Sequence, residues 1–238
     1  MRYDWVFCDA DGTLFDYEAG EAAALEGAFA ACGLAFDPAI GSLYSEINGA
    51  IWREYELGEI TQAVLKAERF RRLFAELGMT ADPEEFSRRY LEILGRQTAL
   101  LDGAEEVVGA LAKDVNLLLI TNGLTSVQRP RFAASSIGGF FAEIVISEEE
   151  GVAKPDPAIF EIAFERIGRP RKERVLMVGD NLGSDIQGGV NHGIDTCWFN
   201  PTGAANGHRV EPTFEIDRLG QLAEIVAGSP EPHRHRLR

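Results

Sequence analysis

The segment "WVFCDADGTLFDY" places two aspartates, Asp9 and Asp11, one residue apart at the end of an apolar run, with Gly12 and Thr13 directly behind them. A strand entering a core has no packing use for paired carboxylates. Like charges this close repel unless a cation or a shared proton relieves them. Three more polar signals follow along the chain: Thr121 and Asn122 in "LLLITNG", Lys154 in "GVAKPDP", and Asp180 and Asp185 in "VLMVGDNLGSD". Taken singly, each reads as a capped turn, a tight turn, a surface lysine or a helix cap. Taken together, in this order and at successive strand and loop ends, they make up the inventory for moving a phosphoryl group.

That reaction needs an anionic nucleophile, a proton donor for the leaving alkoxide and charge stabilisation around the transferred group. Asp9 can attack phosphorus and become an aspartyl phosphate, which splits one hard displacement into two easier ones. A carboxylate approaching a phosphate needs a cation between them, and magnesium takes about six oxygens while bridging the two. Asp9 and Asp180 are its natural side-chain ligands, the Asp11 carbonyl is in reach, and Asp185 is a further ligand or an anchor for the others. The Asp11 side chain can give its proton to the leaving oxygen and later take one from the hydrolytic water. Lys154 neutralises the remaining charge, while Thr121, Asn122 and neighbouring backbone N–H groups hold phosphate oxygens.

The elements that must position these groups are legible from periodicity. Strands are predicted at Trp5–Cys8, Asn116–Ile120, Glu143–Ile146, Arg174–Val178 and Asp195–Phe199. The runs "NLLLI" and "RVLMV" are nearly continuous in apolar residues, as parallel strands covered on both faces are. Helical patterns lie between most of them; in "DPAIFEIAFERIG", Asp156 caps, Pro157 takes the first helical position and Gly168 stops the helix. Strands alternating with helices predict a parallel α/β sheet, and ligands bind where such strands run out. From residue 16 to residue 100 only helical patterns occur, which predicts an all-helical cap inserted into a core made of residues 1–15 and 101–228. Within the cap, Thr61 starts a helix with Val64, Ala67, Phe70, Phe74 and Leu77 at helical spacing and Gly78 as its stop; another starts at Asp82–Pro83. Residues 229–238, rich in Pro and basic side chains without periodicity, read as a tail.

Composition narrows the partners. Over 238 residues, 38 acidic and 23 basic side chains leave a net charge of −15, a field that repels nucleic acids and anionic membranes. No apolar run reaches the roughly 18–20 residues needed to span a bilayer, and the first residues turn acidic too soon for a signal peptide. Three widely spaced cysteines form no CxxC pair, which suits a reducing cytoplasm. The expected partner is a small phosphomonoester.

These motifs closely resemble those of the haloacid dehalogenase superfamily of phosphohydrolases, over nearly the whole chain and including a helical cap directly after the first motif. The resemblance implies a Rossmann-like core with the first strand central, magnesium as cofactor, and the roles given to Asp9, Asp11, Thr121, Lys154, Asp180 and Asp185. Asp11 separates the branches, because dehalogenases proper lack an acid/base carboxylate there. A narrower match in "DWVFCDADGTLF", "GEIT", "ITNGLTSVQ", "ISEEEGVAKPDPAIFE", "RVLMVGDNLGSDIQGG" and "TCWFN" resembles the bacterial pyrimidine 5′-nucleotidases of this superfamily, and implies hydrolysis of UMP, dUMP and dTMP. Phosphoglycolate-type phosphatases and sugar-phosphate mutases share core and cap type and stand as alternatives. A phosphorylatable receiver also uses Asp, Thr, Lys and magnesium, but carries its Asp on a later strand and has no such cap.

Substrate choice would lie in the cap. In "LYSEINGAIWREYELGEIT", Tyr44, Asn48 and Trp52 fall at four-residue steps on one helix face. Asn48 can hydrogen-bond a pyrimidine edge while Trp52 stacks on the base. The simpler reading, that the stripe packs the cap bundle, is the favoured one. Arg69 either joins the same cleft or is an exposed helix charge.

Overall fold

The computed structural model describes residues 1–228, so the tail predicted over 229–238 lies outside the described residues. In chain order the elements are β1 (Trp5–Cys8), α1 (Tyr17–Ala31), α2 (Pro38–Glu56), α3 (Gln62–Leu77), α4 (Pro83–Leu94), α5 (Ala104–Leu111), β2 (Asn116–Thr121), α6 (Thr125–Ala134), β3 (Phe141–Ile146), α7 (Ser147–Glu150), α8 (Pro157–Arg166), β4 (Val175–Gly179), α9 (Gln187–His192), β5 (Asp195–Phe199), β6 (Phe214–Ile216) and α10 (Leu222–Ala227).

Among the described residues the strands form one six-stranded sheet in the order β3-β2-β1-β4-β5-β6, parallel throughout. β1 lies inside the sheet, with Cys8 registered between Leu119 and Val178. Side chains alternate between two apolar layers: Val6, Cys8, Leu117, Leu119, Leu176 and Val178 enter one, and Phe7, Leu118, Ile120, Val175 and Met177 the other. Both faces are covered, which is why β4 is buried at every position. Because all strands run the same way, the residues following β1, β2 and β4 emerge at one edge of the sheet. The short strand β6, only three residues long, was not among the predicted strands.

The chain divides into two compact units. Among the described residues, one holds Met1–Asp16, Ala99–Thr125 and 132–228; the other holds Tyr17–Thr98 with Ser126–Arg131. The hexapeptide Ser126–Arg131, which sequence alone gave no reason to group with the helices, packs on the end of α4: a side chain at Gly95 would stand 3.1 Å from the Ser126 carbonyl.

In the helical unit Asp37, Thr61 and Asp82 cap α2, α3 and α4, each accepting a backbone N–H of the first turn. Gly78 ends α3 with φ of 62°, a left-handed conformation that glycine adopts without a Cβ penalty. The buried face of α3 differs from the sequence expectation. Leu65, Arg69, Phe70, Leu73 and Phe74 turn inward, while Val64 is 46% exposed. The face is rotated by one residue because Arg69, a charged side chain, belongs to it.

Candidate active site

Asp9 follows β1 and continues its ladder, its N–H donating to the Val178 carbonyl at 2.9 Å. The chain then folds into a tight turn in which Leu14 and Phe15 both donate to the Ala10 carbonyl and Gly12 donates to the Phe15 carbonyl. Gly12 has φ of 81°, and a Cβ there would stand 2.7 Å from Asp180 Oδ2, so glycine is demanded by conformation and by space. Thr13, fully buried, clasps the same aspartate: its Oγ1 donates to Asp180 Oδ1 at 2.9 Å and accepts the Asp180 N–H at 3.0 Å. The motif-bearing turn after β1 is thereby bolted to the end of β4.

Asp185 reaches back over the end of β4. Gly179 makes room, since a Cβ there would lie 2.2 Å from Asp185 Oδ2, and the Asn181 N–H donates to that oxygen at 3.1 Å. Asn181 Oδ1 accepts the N–H groups of Gly183 and Ser184, capping a single π-helical turn at Leu182–Ile186, a distortion often found at functional sites. From β5, the Trp198 indole N–H donates to the Asp180 carbonyl at 2.8 Å.

Lys154 is 1% exposed, and its ammonium donates to Asp9 Oδ1 at 2.6 Å and to the Ile120 carbonyl at 2.7 Å, with Asp185 Oδ1 also at 2.7 Å. Thr121, 2% exposed at the end of β2, accepts the Gly123 N–H on its Oγ1, leaving the hydroxyl hydrogen to donate elsewhere. The Asn122 side-chain amide is paired with the backbone of Lys154 on both sides. Asp11 sits half-buried beside Asp9, bridged to Phe15 through the backbone.

One carboxylate oxygen from each of Asp9, Asp180 and Asp185 lies within 4.8 Å of the others. Three carboxylates beside one ammonium leave two negative charges uncompensated, a deficit and an all-oxygen donor set that a divalent cation such as magnesium fits. The electrostatics register the deficit. Burial, with Asp185 and Asp180 adding to it and Lys154 opposing, carries the Asp9 carboxyl well above its ordinary value. Burial and Asp185 push Asp180 up to about 7. Burial works against the Lys154 charge, yet Asp185 and Asp9 outweigh it and raise its pKa.

The cap residues singled out from sequence fall into two groups. Asn48 and Arg69 meet inside the helical unit, Arg69 Nη1 donating to Asn48 Oδ1 at 3.2 Å, while Asn48 Nδ2 donates to Glu21 Oε1 at 2.7 Å and to the Tyr17 hydroxyl at 3.1 Å. Arg69 is 1% exposed, lying over the rings of Phe70 and Tyr90, so it is not a surface helix charge. Trp52, on the same helix as Asn48, is half-buried and packs edge-on against Tyr55. Both Asn48 amide hydrogens are engaged internally, which favours the packing reading of this helix face. Sequence reasoning passed over Glu21, the acceptor for Tyr17, Ser45 and Asn48, and over the Thr13 and Trp198 clasps on Asp180. Trp198 stood within the quoted "TCWFN", but nothing local to that segment reveals its acceptor.

A buried carboxylate held against an ammonium, with two more carboxylates close by where parallel strands run out, is an arrangement suited to phosphate esters, and this fold and site are those of a phosphatase. The chain belongs to the haloacid dehalogenase-like hydrolase family, whose model matches residues 3–193. It is 37% identical to the pyrimidine 5′-nucleotidase PynA of Streptococcus pneumoniae, over 95% of this chain and 96% of that protein. It is 33% identical to the pyrimidine 5′-nucleotidase YjjG of Escherichia coli, over 95% of this chain and 99% of that one. The solved structure of YfnB from Bacillus subtilis, bound to magnesium, superposes with a TM-score of 0.90 at 34% identity, covering 95% of this chain and 99% of YfnB. No helix among the described residues is long and apolar enough to cross a membrane.

Proposed function

We propose that the protein is a cytoplasmic, magnesium-dependent 5′-nucleotidase that hydrolyses pyrimidine nucleoside monophosphates such as UMP, dUMP and dTMP through an aspartyl phosphate on Asp9. The hydrolytic part of this reading is carried by the Asp9–Lys154 contact beside Asp180 and Asp185. The pyrimidine part is carried by the likeness to PynA and YjjG, which extends over nearly the whole of each chain and so includes the cap.

An Asp9 carboxylate oxygen forms a bond to phosphorus as the ester oxygen leaves, and Asp11 delivers its proton to that oxygen, releasing the nucleoside. Asp11 then takes a proton from water as the water oxygen attacks the phosphoryl group, which frees inorganic phosphate and restores the Asp9 carboxylate. Lys154 fixes the orientation of Asp9 and offsets charge on the transferred group, and the Thr121 hydroxyl donates to a phosphate oxygen. Asp9 and Asp180, with Asp185 and the Asp11 carbonyl as further donors, would hold magnesium, which would supply the positive charge needed for one anion to approach another. Asn48 and Arg69 enter this proposal as the frame of the cap rather than as contacts to the base.

Phosphate release should be followed with magnesium and with EDTA from UMP, dUMP, dTMP, AMP, phosphoglycolate and glucose 1-phosphate. Magnesium-dependent release confined to the pyrimidine nucleotides is the expected result. Preference for phosphoglycolate would keep the chemistry and discard the substrate; release undiminished by EDTA would overturn the metal requirement.

A further inference from the structure

Lys154 lies in the turn between α7 and α8, where no strand ladder holds the backbone. Its long, flexible side chain must nevertheless deliver an ammonium to Asp9 at 2.6 Å in a closed site. Both backbone polar groups of Lys154 go to one side chain: its N–H donates to Asn122 Oδ1 at 2.8 Å, and its carbonyl accepts from Asn122 Nδ2 at 2.8 Å. A carboxamide is suited to this, since it offers one acceptor and one donor in a single plane. At the far end of the side chain, the ammonium donates to the carbonyl of Ile120, two residues before Asn122. The end of β2 therefore grips Lys154 at both extremities, and the residue between the two grips is Thr121.

We propose that Asn122 is a positioning residue for Lys154: it sets where the lysine backbone stands, and acts on catalysis only through the ammonium. It is not itself a ligand of the phosphate. The proposal rests on the role given to Lys154 above. Positions of catalytic groups matter at this scale, because a displacement of about 1 Å can cost roughly a hundredfold in rate.

The test is a double-mutant cycle with Asn122→Ala and Lys154→Ala, read in two ways that do not depend on each other. First, Asn122→Ala should lower kcat/KM by roughly ten- to a hundredfold and weaken inorganic phosphate binding, measured calorimetrically. In the Lys154→Ala background, phosphate affinity should fall no further when Asn122 is also removed. An additive loss would mean that Asn122 touches phosphate directly, and would overturn the proposal. Second, hydrogen exchange at the Lys154 amide should accelerate in Asn122→Ala while Leu119 and Val145 in the sheet keep their protection. Lost activity with unchanged exchange at Lys154 would overturn it equally, and the sheet amides report whether the variant is folded. Should Lys154→Ala itself leave turnover intact, the failure would belong to the proposed mechanism and not to this clasp.

Discussion

At one edge of the sheet, Asp9 and Asp185 share a single ammonium with Asp180 close beside them; inside the helical unit, Glu21 and Arg69 share a single amide, Asn48. Both clusters are largely buried and both are tied by hydrogen bonds. They differ in balance. Glu21 and Arg69 cancel, with Asn48 passing a hydrogen bond from one charge to the other and Tyr17 and Ser45 completing the carboxylate's shell. The sheet-edge cluster is left two charges short, and burial raises two of its carboxyls in consequence. A balanced buried cluster holds a fold together, whereas an unbalanced one is held by the fold and waits for a ligand. That distinction separates the two more sharply than burial, residue type or hydrogen-bond count.

The largest effect that would test the contrast is at Asp9. Asp9→Asn should reduce turnover by at least roughly a thousandfold, as loss of a nucleophile does. In the metal-free protein the same change should raise Tm, because it removes one of the uncompensated charges. Turnover that survives the change would sink the nucleophile assignment; a fall in metal-free Tm would sink the account of the charge deficit.

At the balanced cluster the signs reverse. Arg69→Met strips the cation from Glu21 and Asn48 and should cost about 3 kcal/mol in urea unfolding. Glu21→Gln combined with Arg69→Met removes both charges and should recover part of that loss, as buried pairs do when neither partner is stranded. If the double variant is no more stable than Arg69→Met alone, the two residues are not an amide-bridged pair.

Why one cluster was readable from sequence and the other was not follows from how each is built. Asp9, Asp180 and Asp185 follow strands whose apolar runs announce themselves, and carboxylates after such runs have no packing use. Asn48 and Arg69 sit inside helices with ordinary amphipathic spacing, and a helix face is read by counting apolar residues. An arginine in the face therefore shifts the reading, which is how Val64 was placed inward although it is 46% exposed, while Leu65 is buried. The Asp–Pro and Thr caps were legible because capping is local. The Thr13 and Trp198 bonds to Asp180, like the Asn122 grip on Lys154, join residues from 18 to 167 positions apart and leave no local trace. The strand β6, at three residues, falls below the length at which alternation can be recognised.

A smaller effect lies in pH. The Asp180 carboxyl, ordinarily near 3.8, stands at about 7 in the folded protein, so the native state binds a proton that the unfolded chain has already released. Without divalent ions, the stability linked to this group is fully present below about 3.8 and is lost as pH rises through about 7. Taken as the difference between the parent and Asp180→Asn, which cancels the titrating groups distant from this cluster, the loss should be of order 2 kcal/mol between pH 5 and pH 8. Magnesium should stabilise the parent more at pH 8 than at pH 5, and a flat difference curve would contradict the raised carboxyl.

The smallest effect concerns how firmly the unbalanced cluster is held before any ion arrives. Trp198 packs with Leu182, Ile186 and Val210 and lends one hydrogen bond to the Asp180 carbonyl. Trp198→Phe keeps most of the ring and deletes the donor, so Asp180 retains its Thr13 clasp and loses one of its fixed points. A single such bond contributes about 1 kcal/mol, which corresponds to roughly a fivefold weaker magnesium affinity by calorimetry. The packing loss will also lower Tm, and the two effects separate in the pairing with Thr13. Thr13→Val removes the other clasp, and if both bonds act by fixing the same residue, Asp180, magnesium affinity in the double variant should fall by other than the product of the single losses, while distant packing defects would simply multiply.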